Sequence, residues 1–171
     1  MIKYATTFGS STITENEIEY LEGVAIGKAL SKKGYVVKCG GYQGLMEAVS
    51  RGVYEVGGEC IGMTLERFEK IRPENPYLTK KIRHASIFER LQSLIEGSEL
   101  FIVQKGSLGT INEAIMVWTL LYADILSKKS RLCFIGKEWK SYVNPENIPV
   151  DKKLFDLLEF YEDEKEFLKT L

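Results

Sequence analysis

One loop of this chain has the residue types and spacing to bind a small anion beside an acidic group. An apolar run over residues 100–104 is followed by a turn with Gly106, Ser107, Gly109 and Thr110, and then by a long helical pattern. Backbone amides at a helix N-terminus lack intrahelical partners and carry the positive end of the helix dipole, so they favour an anion. Glu113 follows one turn into the predicted helix, which indicates a phosphorylated small ligand next to a carboxylate.

Arg90 is the second candidate, because it is the only charge in the apolar stripe of its predicted helix. The other stripe positions are Ile87, Leu91, Leu94 and Ile95. Arg90 also lies near the helix N-terminus, where the dipole disfavours a cation. Its side chain can extend to solvent, or pair with Glu47 or Glu113, as structural alternatives. We favour a role in binding an anion or substrate.

Two earlier glycine-containing turns also follow predicted strands. Gly9-Ser10 comes after a strand over residues 2–8, and Gly40, Gly41 and Gly44 come after a strand over residues 35–39. The alternative for these glycines is a tight strand-to-helix turn with no ligand. Because ligands of parallel sheets bind beyond the carboxyl ends of the strands, we expect the three loops to meet at one crevice.

Ser/Thr-x-x-Glu patterns predict three helix N-termini through capping boxes. They are Thr14-x-x-Glu17, Ser86-x-x-Glu89 and Thr110-x-x-Glu113. For Thr110 and Glu113, helix capping is therefore the alternative to a ligand site. The nearby Gly106-x-x-Gly109, which lets backbone approach a ligand closely, favours the site.

Strand and helix patterns alternate along the chain, which predicts an α/β fold, a Rossmann-like doubly wound parallel sheet with helices on both faces. Residues 1–171 are expected to form a single nucleotide-binding domain. Residues 65–80, with Pro73 and Pro76, predict a loop or lid. His84, in the polar run that follows, is expected to be solvated.

Composition excludes several classes of protein. The net charge is −1, which argues against nucleic acid or an anionic membrane as partner. The apolar runs are too short to span a bilayer, and the first residues lack a signal peptide's apolar stretch. With no Cys-x-x-Cys pair and a single histidine, no metal site is expected, and the three cysteines predict free thiols in the cytoplasm.

Three motifs together resemble the Lonely Guy family of cytokinin-activating phosphoribohydrolases over about residues 1–135. They are Gly40-Gly41-x-x-Gly44-Leu45-Met46, Glu89-Arg90 and Gly106-x-x-Gly109-Thr110-x-x-Glu113. The resemblance implies hydrolysis of a nucleoside 5′-monophosphate to free base and ribose 5-phosphate, without a cofactor. It implies that Arg90 and Glu113 are catalytic, that Gly106, Gly109 and Thr110 receive the phosphate, and that Gly9, Ser10, Gly40 and Gly41 line the nucleotide pocket.

The chain departs from the family's motifs at four positions. Lys105 replaces a proline, Ser107 and Cys39 replace glycines, and Phe88 replaces a histidine. The Ser107 hydroxyl is expected to donate to the phosphate. The Lys105 ammonium is expected near the phosphate, with a solvated surface charge as the alternative. These departures resemble divergent branches of the superfamily, including molybdenum-cofactor carrier-like proteins. The alternative to an enzyme is therefore a non-catalytic protein that binds or carries a nucleotide or a molybdopterin cofactor.

The helix after the loop is apolar nearly all round, over residues 114–118 and 120–122. One face is expected to cover the sheet, and the other to pack against a second copy in a homodimer or larger homo-oligomer. Family members are dimeric or larger, which agrees. Burial under the C-terminal segment is the monomeric alternative.

Overall fold

Seven β-strands form one sheet in the computed structural model, which describes residues 2–171. They are β1 (Lys3–Phe8), β2 (Tyr35–Cys39), β3 (Cys60–Leu65), β4 (Lys80–His84), β5 (Ser98–Val103), β6 (Arg131–Ile135) and β7 (Leu158–Tyr161). Their order is β4-β3-β2-β1-β5-β6-β7, and all neighbours pair in parallel. The predicted parallel α/β sheet is thereby confirmed. Met1, included in the predicted domain, lies outside the described residues.

Helices cover both faces of the sheet. They are α1 (Ile18–Lys32), α2 (Leu45–Glu55), α3 (Glu66–Glu69), α4 (Ile87–Ile95), α5 (Leu108–Tyr122), α6 (Trp139–Tyr142) and α7 (Glu164–Leu168), with a 3-10 helix at Lys152–Leu157. Because side chains alternate along a strand, Leu100 and Ile102 of β5 join one apolar core, and Phe101 and Val103 join the other. No helix formed by residues 2–171 has the length and apolar character needed to cross a membrane.

The sheet reverses its strand order beside β1, where a doubly wound fold usually binds its ligand. The loops after β1 and β5 are joined there by the backbone. The Gln104 amide donates to the Phe8 carbonyl at 2.9 Å, and the Ser10 amide donates to the Lys105 carbonyl at 2.9 Å. The amide of Leu45, the first residue of α2, donates to the Ser10 carbonyl at 2.8 Å. Three loops therefore meet at one crevice, as expected.

The prediction for residues 65–80 and for His84 is wrong in part. Helix α3 opens this segment, and the polar run that follows it is edge strand β4, paired with β3. His84 is buried rather than solvated, with ring nitrogens 3.2 Å from the Thr64 carbonyl oxygen and 2.7 Å from Ser93 Oγ. A charged edge strand lacks the apolar alternation that identifies a half-buried strand, and edge strands are commonly protected by charge.

Of the three predicted capping boxes, only Ser86-x-x-Glu89 caps a helix, and both of its hydrogen bonds are present. The Thr14 prediction is wrong because α1 begins at Ile18, and the Glu17 carboxylate instead accepts from the Thr14 amide in a preceding turn. The Thr110 box is also absent, since α5 begins at Leu108 after Ser107. Helix capping therefore does not account for Glu113.

Candidate active site

A cavity of about 140 Å³ lies at the crevice where the loops meet. It is lined by several of the predicted residues, which are Gly9, Ser10, Arg90, Ser107, Gly109, Thr110 and Glu113. Gly40, Gly41, Gly44 and Gly106 do not line this cavity and lie in the adjoining turns. The structure therefore brings the arginine, the carboxylate and the start of α5 to one place.

Arg90 and Glu113 contact each other inside this cavity. Arg90 Nη1 donates to Glu113 Oε1 at 3.3 Å, and the two side chains are 10% and 15% exposed. Arg90 Nε donates to the Met63 carbonyl at 2.7 Å, and Nη2 donates to the Gly40 carbonyl at 3.4 Å. A guanidinium has five N–H donors, so two remain for a ligand. Arg90 is thus fixed by β3 and the loop after β2 while it still faces the cavity.

The electrostatics of Glu113 are dominated by its burial. Burial raises the pKa of this carboxyl above its usual range, and the Arg90 charge and hydrogen bond offset only part of that effect. The single 3.3 Å contact explains the weak compensation, because strong arginine–carboxylate pairs are shorter and bidentate. Oε2 makes no hydrogen bond to any group of residues 2–171. Glu113 is therefore suited to accept a hydrogen bond or a proton from a bound molecule.

Two of the loop glycines make room for site side chains. A Cβ on Gly40 would lie 2.4 Å from Arg90 Nη2, and a Cβ on Gly106 would lie 2.1 Å from Thr110 Oγ1. Gly41 and Gly44 have φ angles of +81° and +78°, which side chains disfavour. These four glycines shape the turns behind the cavity, as the structural alternative predicted, and contact with a ligand stays a prediction for them.

The start of α5 is open to an anion. The Ser107 side chain accepts no capping hydrogen bond, so its hydroxyl is available, and Ser107 and Gly109 are exposed. A Cβ on Gly109 would have no neighbour within 4 Å. The first amides of a helix need partners from outside it, and Ser107, Gly109 and Thr110 at the start of α5 line the cavity.

Sequence reasoning missed five residues that line the cavity, which are Ser11, Tyr42, Met46, Phe68 and Arg72. The Arg72 guanidinium carbon lies 4.7 Å from the Phe68 ring centre and 5.2 Å from the Tyr42 ring centre. Arg72 lies in the segment predicted as a loop or lid, where an arginine among other charged residues gives no signal of a site.

Lys105 does not reach the phosphate loop's cavity, contrary to expectation. Its ammonium pairs with Glu19 of α1, and Lys105 lines two other cavities of the molecule. Residues 2–171 also contain no group of three or more histidine, cysteine, aspartate or glutamate side chains placed to hold a metal ion. The charged side chains that line the cavity are those of Arg72, Arg90 and Glu113.

Comparison with known families decides the relationship, since the model of the SLOG cluster4 family matches residues 3–133. The chain belongs to the SLOG cluster4 family. Its match covers all three motifs and strands β1 to β5, which confirms the resemblance drawn from those motifs. No curated protein sequence matches the chain.

Solved structures show that this SLOG cluster4 protein shares its fold with other proteins across nearly the whole chain. The structural genomics target TM1055 matches with a TM-score of 0.75 at 23% identity, covering 99% of this chain and 98% of that chain. A molybdenum cofactor binding protein from the phototrophic bacterium Rippkaea orientalis matches with a TM-score of 0.74 at 14% identity, covering 99% of this chain and 95% of that chain. The molybdenum cofactor carrier protein of Chlamydomonas reinhardtii matches with a TM-score of 0.69 at 16% identity, covering 99% of this chain and 96% of that chain.

Proposed function

We propose that this protein is a nucleoside 5′-monophosphate phosphoribohydrolase, which releases the free base and ribose 5-phosphate. The observation that supports the proposal most is the single cavity that holds Arg90, Glu113 and the start of α5. Membership of the SLOG cluster4 family supports it further.

The phosphate binds at the start of α5 in this proposal. Amides of the first turn and the Ser107 hydroxyl donate to the phosphate oxygens, and the helix dipole adds to the attraction. The rest of the nucleotide is then held with its sugar toward Glu113, one helical turn further along. Binding energy from the unreactive phosphate thus positions the bond to be cleaved.

Glu113 acts on the sugar and the attacking water. The C1′–N bond breaks through an oxocarbenium-like transition state, whose positive charge the carboxylate stabilises. Water adds its oxygen to C1′, and its released proton passes to Glu113. The base departs with the bonding electron pair and takes up a proton from solvent, to which Glu113 then releases its own proton. A raised carboxyl pKa, which burial gives Glu113, improves this group as a base near neutral pH.

Arg90 holds Glu113 and contacts the nucleotide. Its hydrogen bonds to the Met63 and Gly40 carbonyls fix the guanidinium, and its contact with Oε1 orients the carboxylate so that Oε2 faces the ligand. The two N–H donors left over then polarise the bound nucleotide.

A carrier function is the second candidate. Two solved structures with this fold are titled as a molybdenum cofactor binding protein and a molybdenum cofactor carrier protein. The pairing of Arg90 with Glu113 also favours it, because a carboxylate held by an arginine is less free to react. This candidate predicts saturable binding of a phosphorylated ligand, such as a nucleotide or a molybdopterin cofactor, without a product.

A screen of purine and pyrimidine nucleoside 5′-monophosphates separates the two candidates. We expect chromatography to detect free base and ribose 5-phosphate in equal amounts from at least one of them. Binding that raises the melting temperature without release of base would favour the carrier. If no nucleotide is cleaved, and neither a nucleotide nor a molybdopterin cofactor shifts the melting temperature, both functions are wrong.

We also propose a homodimer that forms through the outer face of α5. Leu108, Ile111, Ile115 and Met116 are exposed on this helix. The C-terminal segment packs against α5 at Trp118, whose Nε1 donates to the Leu154 carbonyl at 2.9 Å. We expect a dimer mass by light scattering, and Ile115→Glu to convert it to a monomer. A monomer mass for the unaltered chain would contradict the dimer.

We also propose that the protein is cytoplasmic and consists of a single domain. Cys39, Cys60 and Cys133 are buried free thiols, as is usual in a reducing compartment. One sheet that runs from β1 to β7 supports a single domain.

A further inference from the structure

Arg72 is a cation of the candidate site without a carboxylate partner. Among residues 2–171, Arg72 takes part in no ion pair, whereas Arg90 pairs with Glu113 and Lys105 pairs with Glu19. The charged side chains that line the cavity are Arg72, Arg90 and Glu113. Since Glu113 offsets one guanidinium at most, the cavity carries an excess of positive charge, and Arg72 supplies it.

Two aromatic rings hold the Arg72 guanidinium at the cavity. Its Cζ atom lies 4.7 Å from the Phe68 ring centre and 5.2 Å from the Tyr42 ring centre, and the rings meet edge to face. Arginine stacks on aromatic faces while its N–H donors, which lie in the guanidinium plane, stay free for other partners. The stacking therefore restricts the side chain without using its hydrogen-bonding capacity.

The backbone around this stack is fixed as well. The Arg72 amide donates to the Phe68 carbonyl at 2.9 Å, and the Tyr42 hydroxyl donates to the Leu65 carbonyl at 3.1 Å. Buried Asn75 donates to the Tyr42 carbonyl at 3.2 Å and to Ser50 Oγ at 2.8 Å. Little conformational freedom is left to lose when Arg72 meets a ligand, which favours binding.

We propose that Arg72 recognises the phosphate of the ligand and makes the site selective for phosphorylated over unphosphorylated molecules. The inference rests on the proposed function, in which a nucleoside 5′-monophosphate occupies this cavity. Arg72 and the first turn of α5 line the same cavity, and together they present a guanidinium fork and backbone amides to one anion. A guanidinium binds two phosphate oxygens at once, which a lone ammonium does not.

Calorimetric titration with AMP, adenosine and inorganic phosphate tests Arg72. We expect Arg72→Gln to weaken binding of AMP and phosphate about tenfold or more, since it removes a charge-assisted hydrogen bond, and to leave adenosine within about twofold. Arg72→Lys should restore part of the loss. Arg67→Gln is the matched control, because Arg67 is an exposed arginine of helix α3, five residues before Arg72, and is outside the cavity.

The outcomes separate this proposal from the proposed function. Release of base with unchanged binding of AMP in Arg72→Gln would overturn the role of Arg72 and leave the enzyme intact. Binding of AMP that depends on Arg72, without release of base, would support Arg72 and favour the carrier. Equal weakening of AMP and adenosine would show a structural role and overturn the proposal, and so would a wild-type protein that binds neither AMP nor phosphate.

Discussion

Two arginine–glutamate pairs differ in geometry, one in the cavity and the other between β6 and β7. In the pair between β6 and β7, Arg131 Nε and Nη2 donate to the two oxygens of Glu159 at 2.9 and 2.7 Å. Arg131 Nη2 also donates to the Tyr161 hydroxyl at 2.8 Å. At the candidate site, Arg90 reaches Glu113 by a single contact of 3.3 Å. The Arg131–Glu159 pair is therefore bidentate, whereas the Arg90–Glu113 pair is a single contact.

This difference in geometry gives the two carboxyls opposite pKa shifts. The Arg131 hydrogen bond lowers the pKa of Glu159, and that effect exceeds the desolvation of a partly exposed group. Burial raises the pKa of Glu113 against the weaker pull of Arg90. In the Arg131–Glu159 pair, the carboxylate is stabilised in its ionised form. In the cavity, the Glu113 carboxyl is stabilised when it binds a ligand or a proton.

Removing each arginine gives the largest expected difference between the pairs. We expect Arg90→Met to cost about 3–5 kcal/mol of unfolding free energy at neutral pH, because it leaves Glu113 buried without its partner. Arg131→Met should cost about 1 kcal/mol, because water reaches that pair. Urea unfolding of both variants measures these costs.

Making the Arg90→Met change in the Glu113→Gln protein as well as in the wild type sharpens this test. In Glu113→Gln, the Arg90→Met change should cost clearly less, since no buried charge is stranded. Equal costs for Arg90→Met in the two backgrounds would contradict the view that Glu113 is a strained, buried carboxyl.

The pH dependence of stability should differ in sign between the pairs, with a smaller effect. The pKa of Glu113 is raised in the fold, so its contribution is greatest at low pH and is lost as pH rises above about 4.5. The pKa of Glu159 is lowered, so its contribution is present above about 4.5 and is lost as pH falls below that. Urea unfolding between pH 4 and 8 should show that the unfolding free energy of Glu113→Gln increases relative to the wild type as pH rises. For Glu159→Gln, the loss of unfolding free energy relative to the wild type should shrink as pH falls. The same pH dependence of stability in the two variants would contradict this difference.

Much of the fold follows from the sequence because most of its strands are buried and apolar. Strand β2 has the predicted bounds, and the sheet class follows from the alternation of strands and helices. Strand β4 was not predicted, because Lys80, Lys81 and Arg83 give an edge strand no apolar pattern. Capping patterns were right only at Ser86, since turn and helix compete locally for the same side-chain bonds.

The candidate site was predictable only where a residue contradicted its local pattern. Arg90 was identified as a charge among apolar neighbours, and Glu113 through its spacing from the glycines. Their contact, and the weakness of that contact, depend on how β3, α4 and α5 pack. Arg72 gave no such contradiction, because an arginine in a charged segment is ordinary until the fold places two rings beside it.

The rate of base release by Glu113→Gln, set beside Glu159→Gln, tests the central claim most directly. Both variants exchange a carboxylate for an amide in an arginine pair, and only Glu113 lines the cavity. On the nucleotide that the wild type cleaves, we predict a loss of about 10²–10⁴-fold for Glu113→Gln. We predict a rate within about twofold of wild type for Glu159→Gln, since that pair lies outside the cavity. Release of base by Glu113→Gln at the wild-type rate would contradict the account.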